Sequence, residues 1–152
     1  MGNTPLNRTR ALEWCLSTLM LAWGVNILSP EVFFDLPVYK LMRELMSESR
    51  WGMAAVLVAL LRMTGLAING WWRRSPLIRL AGSGISGAFW LTIGFLMWGA
   101  SINEAGTVRL PAGILWYVVF IGYEGWCVLS CGYDMQKNGS LEYGAKPRYV
   151  TR

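Results

Sequence analysis

Apolar residues gather in four blocks, at about 11–29, 51–72, 80–102 and 111–132, and the only charged side chains inside them are Glu13, Arg62 and Glu124. Each block holds about 19–23 residues, which as helix is roughly 30 Å and matches the hydrocarbon core of a bilayer. A helix at a water boundary keeps a charged face, and none of the four has one. The pattern predicts an all-α fold, a four-transmembrane-helix bundle. Residues 1–133 form one membrane domain and residues 134–152 a polar cytoplasmic tail. Pro30 closes the first block and Pro111 opens the last.

Between the first two blocks lies one sizeable connection. Pro37 opens a stretch in which Val38, Leu41, Met42, Leu45 and Met46 recur at helical spacing, with Lys40, Arg43, Glu44 and Glu48 on the other side. This period predicts a short amphipathic interfacial helix over about 37–49, too short to span. Two placements are open: flat on the membrane surface, or packed as a cap over the outer mouth of the bundle. The second block has Trp51 and Trp72 at its ends, as an aromatic interface belt requires. The 103–110 connection is a short external loop, and no internal repeat or second domain is visible.

Composition sharpens this picture. Hydrophobic residues make up 54% of the 152, charged residues 15%, and there are nine Trp and no His. The charged share is well below the roughly 25% of a soluble domain. A soluble enzyme, a secreted disulfide scaffold and a free nucleic-acid-binding module are excluded by the apolar blocks. The net charge of +5 is explained by insertion rather than by nucleic acid. Arg8 and Arg10 before the first block, Arg73, Arg74 and Arg79 after the second, and Lys137, Lys146, Arg148 and Arg152 in the tail would share one side. Only Lys40, Arg43, Arg50 and Arg109 fall on the other. The positive-inside rule then places both termini in the cytoplasm. In that arrangement Arg73, Arg74 and Arg79 hold a cytoplasmic turn, and Glu13 meets Arg73 or Arg74 at the same interface.

Arg62 and Glu124 are the candidate functional residues. Counted from Trp51 and Pro111 they sit within roughly 3 Å of the same depth near the midplane. An isolated charge there is costly, so such residues face the bundle interior and pair. An ion pair between neighbouring helices is expected, with Asn26, Tyr117 and Tyr123 as polar partners. It is either a clamp on helix register or a proton- or ion-linked site. The third block opens with Gly82, Ser83, Gly84, Ser86, Gly87 and Ala88, three overlapping small-xxx-small pairs. Such a face packs helices closely, within the monomer or at the seam of a homo-oligomer.

Cys15, Cys127 and Cys131 all map to cytoplasmic ends, where thiols stay reduced. Cys127 and Cys131 are four apart, but two thiols without His or carboxylate partners make a poor metal site, and buried small hydrophobes are the plainer reading. Without His, and without a phosphate loop or nucleophile motif, no catalytic residue, metal or cofactor is expected.

Arg62, Ile68-Asn69-Gly70, the Trp72-Arg73 step, Ser75-Pro76 and Arg79 form an 18-residue stretch. It resembles a segment that recurs in small multi-pass membrane proteins encoded by tailed bacteriophages and prophages. The resemblance implies a bacterial inner membrane and a phage origin, but no mechanism. With it, three functions are open. One is a non-enzymatic envelope protein acting by assembly or interaction, either holin-like or excluding superinfection; four spans favour the latter. The second is a transporter or channel subunit using Arg62 and Glu124. The third is a structural accessory subunit. The partners expected are the bilayer and a second copy or another membrane protein.

Overall fold

A computed structural model describes residues 5–29, 34–68, 75–102 and 113–137. It is all-helical, with no β-strand among the described residues. Helix α1 spans Pro5–Ile27, a 3-10 turn spans Pro37–Tyr39, and α2 spans Lys40–Leu45. Three long helices follow: α3 (Glu48–Ala67), α4 (Ser75–Ala100) and α5 (Ile114–Lys137). In space α1 packs on α3, α3 on α4 and α4 on α5, while α5 returns only sparsely to α1.

The inward residues recur with alternating steps of three and four. On α4 they are Arg79, Ser83, Ser86, Trp90, Ile93 and Met97, all buried. On α3 they are Gly52, Ala55, Ala59, Arg62 and Leu66. This 3.5-residue period is the seam of antiparallel helices crossing at a shallow angle. Outward, the same helices present large apolar side chains: Leu57 is 67% exposed, Phe95 64%, Leu115 68% and Leu129 72%. No charged residue between Trp51 and Ile68, Leu77 and Ile102, or Gly113 and Tyr133 is exposed. Polar groups inside and hydrocarbon outside is the distribution a bilayer selects and water does not.

Three helices, Glu48–Ala67, Leu77–Ala100 and Ile114–Gln136, are long and apolar enough to cross a membrane. Helix α1 has 23 residues, so length is not its limit. It falls short in apolarity because Arg10, Glu13, Ser17, Thr18 and Asn26 lie along it. Two of those, Glu13 and Ser17, are buried against the bundle.

Several element boundaries move from their expected places. Helix α1 already includes residues expected as a polar arm, and α5 continues through Asp134 to Lys137, into the segment expected as tail. The single amphipathic helix over 37–49 is instead a 3-10 turn and a six-residue helix. It stops because Met46 turns fully extended (φ −161°, ψ 162°) and Ser47 stays extended as the N-cap of α3. The Trp51 indole donates to the Met42 carbonyl at 3.1 Å, holding this corner. Trp51 is therefore a core residue, 2% exposed, and not a belt at the lipid–water boundary. Met42 and Phe34 are also buried in the core, so the short helix caps the bundle mouth. Phe34 stacks on Tyr39 with centroids 5.2 Å apart, and burial raises the Tyr39 phenol above its usual pKa. The 103–110 loop, Arg73, Arg74, the paired Trp71 and Trp72, and the tail beyond Lys137 lie outside the described residues.

Helices α1 and α3 approach each other tightly at Gly24 and Gly52. A Cβ on Gly24 would lie 2.9 Å from the Gly52 carbonyl oxygen, and one on Gly52 would lie 2.8 Å from Leu28 Cγ. Backbone cannot yield as a side chain can, so overpacking here costs about 1–3 kcal/mol. Gly24→Leu should lower the melting temperature in detergent by several degrees. Gly84→Ala, whose Cβ would meet nothing within 4 Å, should leave it unchanged; equal behaviour of the two would show that the α1–α3 contact is not tight.

Candidate functional site

The core is built in three storeys along the bundle axis. The first, nearest the α2 cap, is aromatic. Trp90 has the rings of Trp23, Phe89, Tyr117 and Phe120 at centroid distances of 5.8, 5.9, 5.7 and 5.1 Å. These spacings suit edge-to-face and tilted aromatic pairs. Ala55 and Ala59 leave α3 thin beside this storey, so the rings fit between helices without splaying them.

The second storey is ionic. Arg62 Nη1 donates to Glu124 Oε1, and both side chains are essentially excluded from solvent. Arg62 Nη1 also donates to Ser86 Oγ at 3.0 Å, and Nη2 to Ser83 Oγ at 3.5 Å. Ser86 Oγ lies 2.6 Å from Glu124 Oε1 and 3.6 Å from Met20 Sδ. The two serines sit three apart on α4, which puts both hydroxyls on the face turned to the guanidinium. Glycines shape the rest of the niche. A Cβ on Gly82 would lie 2.8 Å from Arg62 Cγ, and one on Gly87 would lie 3.3 Å from Glu124 Cβ. Glu124 Oε2 and Trp90 Nε1 are buried without a hydrogen-bond partner among the described residues.

The third storey is a second ionic cluster, at the end of the bundle where α1 starts and α5 ends. Arg79 grips Glu13 with two groups, Nε to Oε2 at 2.8 Å and Nη2 to Oε1. Its third group, Nη1, reaches Asp134 Oδ2 at 3.3 Å. Such a forked pair uses the planarity of guanidinium and would be lost with lysine. Ser17 Oγ donates to the Glu13 carbonyl at 2.7 Å, and Cys131 Sγ lies 3.8 Å from Glu13 Oε1. Cys127 and Cys131 are fully buried and Cys15 is exposed. No group of three metal-ligating side chains occurs among the described residues.

Several expected roles are corrected by this geometry. Arg62 and Glu124 meet, but across the bundle: α3 and α5 are not packed neighbours, and the pair runs through the space between them over α4. Asn26 is exposed and Tyr123 is 49% exposed on the outside of α5, so neither is a polar partner. Tyr117 is buried, but in the aromatic storey two turns away, against Gly94. The partners are Ser83 and Ser86, because an arginine stem lying along α4 brings its head to the hydroxyls one turn on. The small-residue face on α4 packs within the monomer at the positions that meet Arg62 and Glu124. Gly82, Ser83, Ser86 and Gly87 hold the ion pair, while Gly84 and Ala88 point outward. Arg79 leaves its expected role in the cytoplasmic turn and is 3% exposed inside the bundle. Glu13 pairs with Arg79, while Arg73 and Arg74 lie outside the described residues.

The Glu13–Arg79–Asp134 cluster is not marked by block length or charge count, yet a signal for it exists in the sequence. Arg79 lies four residues before Ser83, on the stripe that contains Ser83 and Ser86, and Asp134 lies on the stripe of Glu124, Cys127 and Cys131. Following the 3.5-residue period past the ends of the apolar blocks places Arg79 and Asp134 inside, where Glu13 of the first block meets them. Comparison of the chain with protein-family models, with curated proteins and with solved structures yields no match.

Removing one member of a buried pair leaves the other charge uncompensated, which costs about 3–5 kcal/mol. Glu124→Ala and Arg62→Ala should each strongly lower the thermal midpoint in mild detergent, and the double variant should regain part of the loss. Glu13→Ala should behave like Glu124→Ala, whereas Glu44→Ala on the exposed side of α2 should change little. A Glu13→Ala variant as stable as wild type would show that the third storey carries no structural weight.

Proposed function

We propose that the chain is a four-span integral protein of the bacterial inner membrane, with both termini cytoplasmic, acting by interaction with other envelope proteins rather than by catalysis. One observation carries this reading. Among the described residues every charge buried in the bundle is engaged with an opposite charge, while the outward side chains of the long helices are mostly large and apolar. A protein so arranged meets its surroundings through that surface. The fourth span is α1: its acid is neutralised by Arg79, and its outer side carries Trp14, Leu19 and Val25. The resemblance of the Arg62–Arg79 stretch to phage-encoded membrane proteins supports an envelope-modifying role of the superinfection-excluding kind. In this reading a resident copy alters a host membrane protein that an incoming phage needs.

Topology is checked with single-cysteine variants in a background lacking Cys15, Cys127 and Cys131. Glu44→Cys should react with a membrane-impermeant maleimide in intact cells, and Ser140→Cys only after permeabilisation. Labelling of both from outside, or of neither, removes the four-span topology. Function is checked by expressing the protein in a sensitive host. Plating of tailed phages should fall by at least tenfold without lysis, and unchanged plating over a broad phage panel would overturn the exclusion reading.

A second reading is favoured by Glu124 Oε2, a buried carboxylate oxygen without a hydrogen-bond partner among the described residues. It is the atom at which a proton would be taken up in a transport cycle. In reconstituted vesicles that reading expects Glu124→Gln to abolish a proton-linked flux that wild type supports.

A further inference from the structure

Two polar atoms of the core have no hydrogen-bond partner among the described residues, and they are chemical opposites. The Trp90 indole N–H can only donate, and Glu124 Oε2, as a carboxylate oxygen, can only accept. Both residues are 1% exposed. In a low-dielectric interior each such orphan carries its full desolvation penalty. A donor and an acceptor left over in one place therefore point to a single group that serves both.

The two atoms share one corner of the bundle. Helices α4 and α5 run antiparallel, and their register is set twice: a Cβ on Gly87 would lie 3.3 Å from Glu124 Cβ, and one on Gly94 would lie 3.3 Å from Tyr117 Cβ. Trp90 falls between these levels, about 4.5 Å of rise beyond Gly87. Its Cα–Cβ bond tilts toward the start of α4, over the turn that carries Ser86. Ser86 Oγ in turn lies 2.6 Å from Glu124 Oε1. Phe120, one turn before Glu124 on α5, has its ring 5.1 Å from that of Trp90. Arg62 meets Glu124 through Nη1 alone, while Nη2 turns to Ser83, nearer the start of α4. The carboxylate thus projects past the guanidinium on the Trp90 side, and Oε2 is the oxygen that Arg62 leaves free.

We propose that one water molecule is held between Trp90 Nε1 and Glu124 Oε2, accepting from the indole and donating to the carboxylate. Water suits the corner because it accepts and donates at once. An anion would be repelled by the carboxylate, and a cation by Arg62 and by the indole proton. A buried water with roughly two to four polar partners is as much a part of a fold as a side chain. Here it would tie the aromatic storey to the ionic one. The site lies inside the bundle and is independent of which function proposed above holds.

The test uses the full chain in mild detergent with isotope-labelled indole nitrogens, observed by nuclear magnetic resonance. Trp90→Phe keeps a ring without the N–H and assigns the Trp90 signal by its loss. In wild type that indole proton should show a cross-peak to water. Arg62→Met with Glu124→Met, which removes both charges together, should lose it. No cross-peak in wild type would overturn the site, and a downfield shift of the same proton relative to the double variant would then identify a direct indole–carboxylate bond. A cross-peak that persists in the double variant would show water held without Glu124 and overturn it equally. Trp90→Phe gives a second reading that removes no charge. The infrared carboxylate band of Glu124, identified by difference against Glu124→Gln, should shift when the donor is lost; a band that stays in place would overturn the bridge.

Discussion

The structure depends on one constraint: a guanidinium at mid-bundle needs an acid, and the acid needs the guanidinium. Arg62 and Glu124 come from helices that do not pack on each other, so the pair can form only if α4 holds them at the right separation and height. Helix α4 does this with absence as much as presence. Gly82 and Gly87 leave hollows for the stems of Arg62 and Glu124, and Ser83 and Ser86 add hydroxyls where the heads meet. In hydrocarbon no bulk water substitutes for a missing partner, so these small side chains are constrained as tightly as the charges.

The two ionic storeys divide the work between the bundle's diagonals. Arg62–Glu124 joins α3 to α5, and Glu13–Arg79 joins α1 to α4. Because they lie at different heights and cross, rotating any one long helix by a single residue, about 100°, breaks one of them. Packing of Ala, Leu and Met alone would tolerate neighbouring registers, since lipid outside is as apolar as the core. Asp134 adds a link from α5 to the lower pair, so α5 takes part in both clusters. Helix α1 gains most from this arrangement. It is the long helix with too many polar groups to pass as apolar, and two of those groups, Glu13 and Ser17, are turned inward and bonded.

Much of this was legible in the sequence, and the rest was hidden for physical reasons. Block length and the rarity of charge revealed long membrane-type helices, and equal depth singled out Arg62 with Glu124. Depth, however, fixes one coordinate of a helix residue and not its azimuth. Tyr117 and Tyr123 were therefore plausible partners until the structure turned one into the aromatic storey and the other outward. Position after a span gives Arg79 the look of a topological charge, although its phase on α4 matches Ser83 and Ser86. The small-residue run was read by composition as a seam between helices. Composition does not tell whether a glycine admits a backbone or an arginine. The extended Met46 that ends α2 depends on the Trp51–Met42 bond, and no local signal marks it.

The same geometry bears on what the bundle does as it stands. A passage for ions or solutes needs a continuous polar path along the axis. Here the axis is crossed at two heights by ion pairs and stacked at a third with rings around Trp90. Opening it would require separating charges inside hydrocarbon in both ionic storeys, at a cost of several kcal/mol for each. A contact-driven protein has no such demand. Its interior needs only to be rigid, so that the outward residues of α3, α4 and α5 keep fixed positions toward lipid and toward a partner helix. Diagonal ion pairs supply that rigidity where hydrophobic packing alone is weakest. The charges in this bundle thus serve as fasteners, and on the function proposed above the surface they hold in place is the one that would meet a partner.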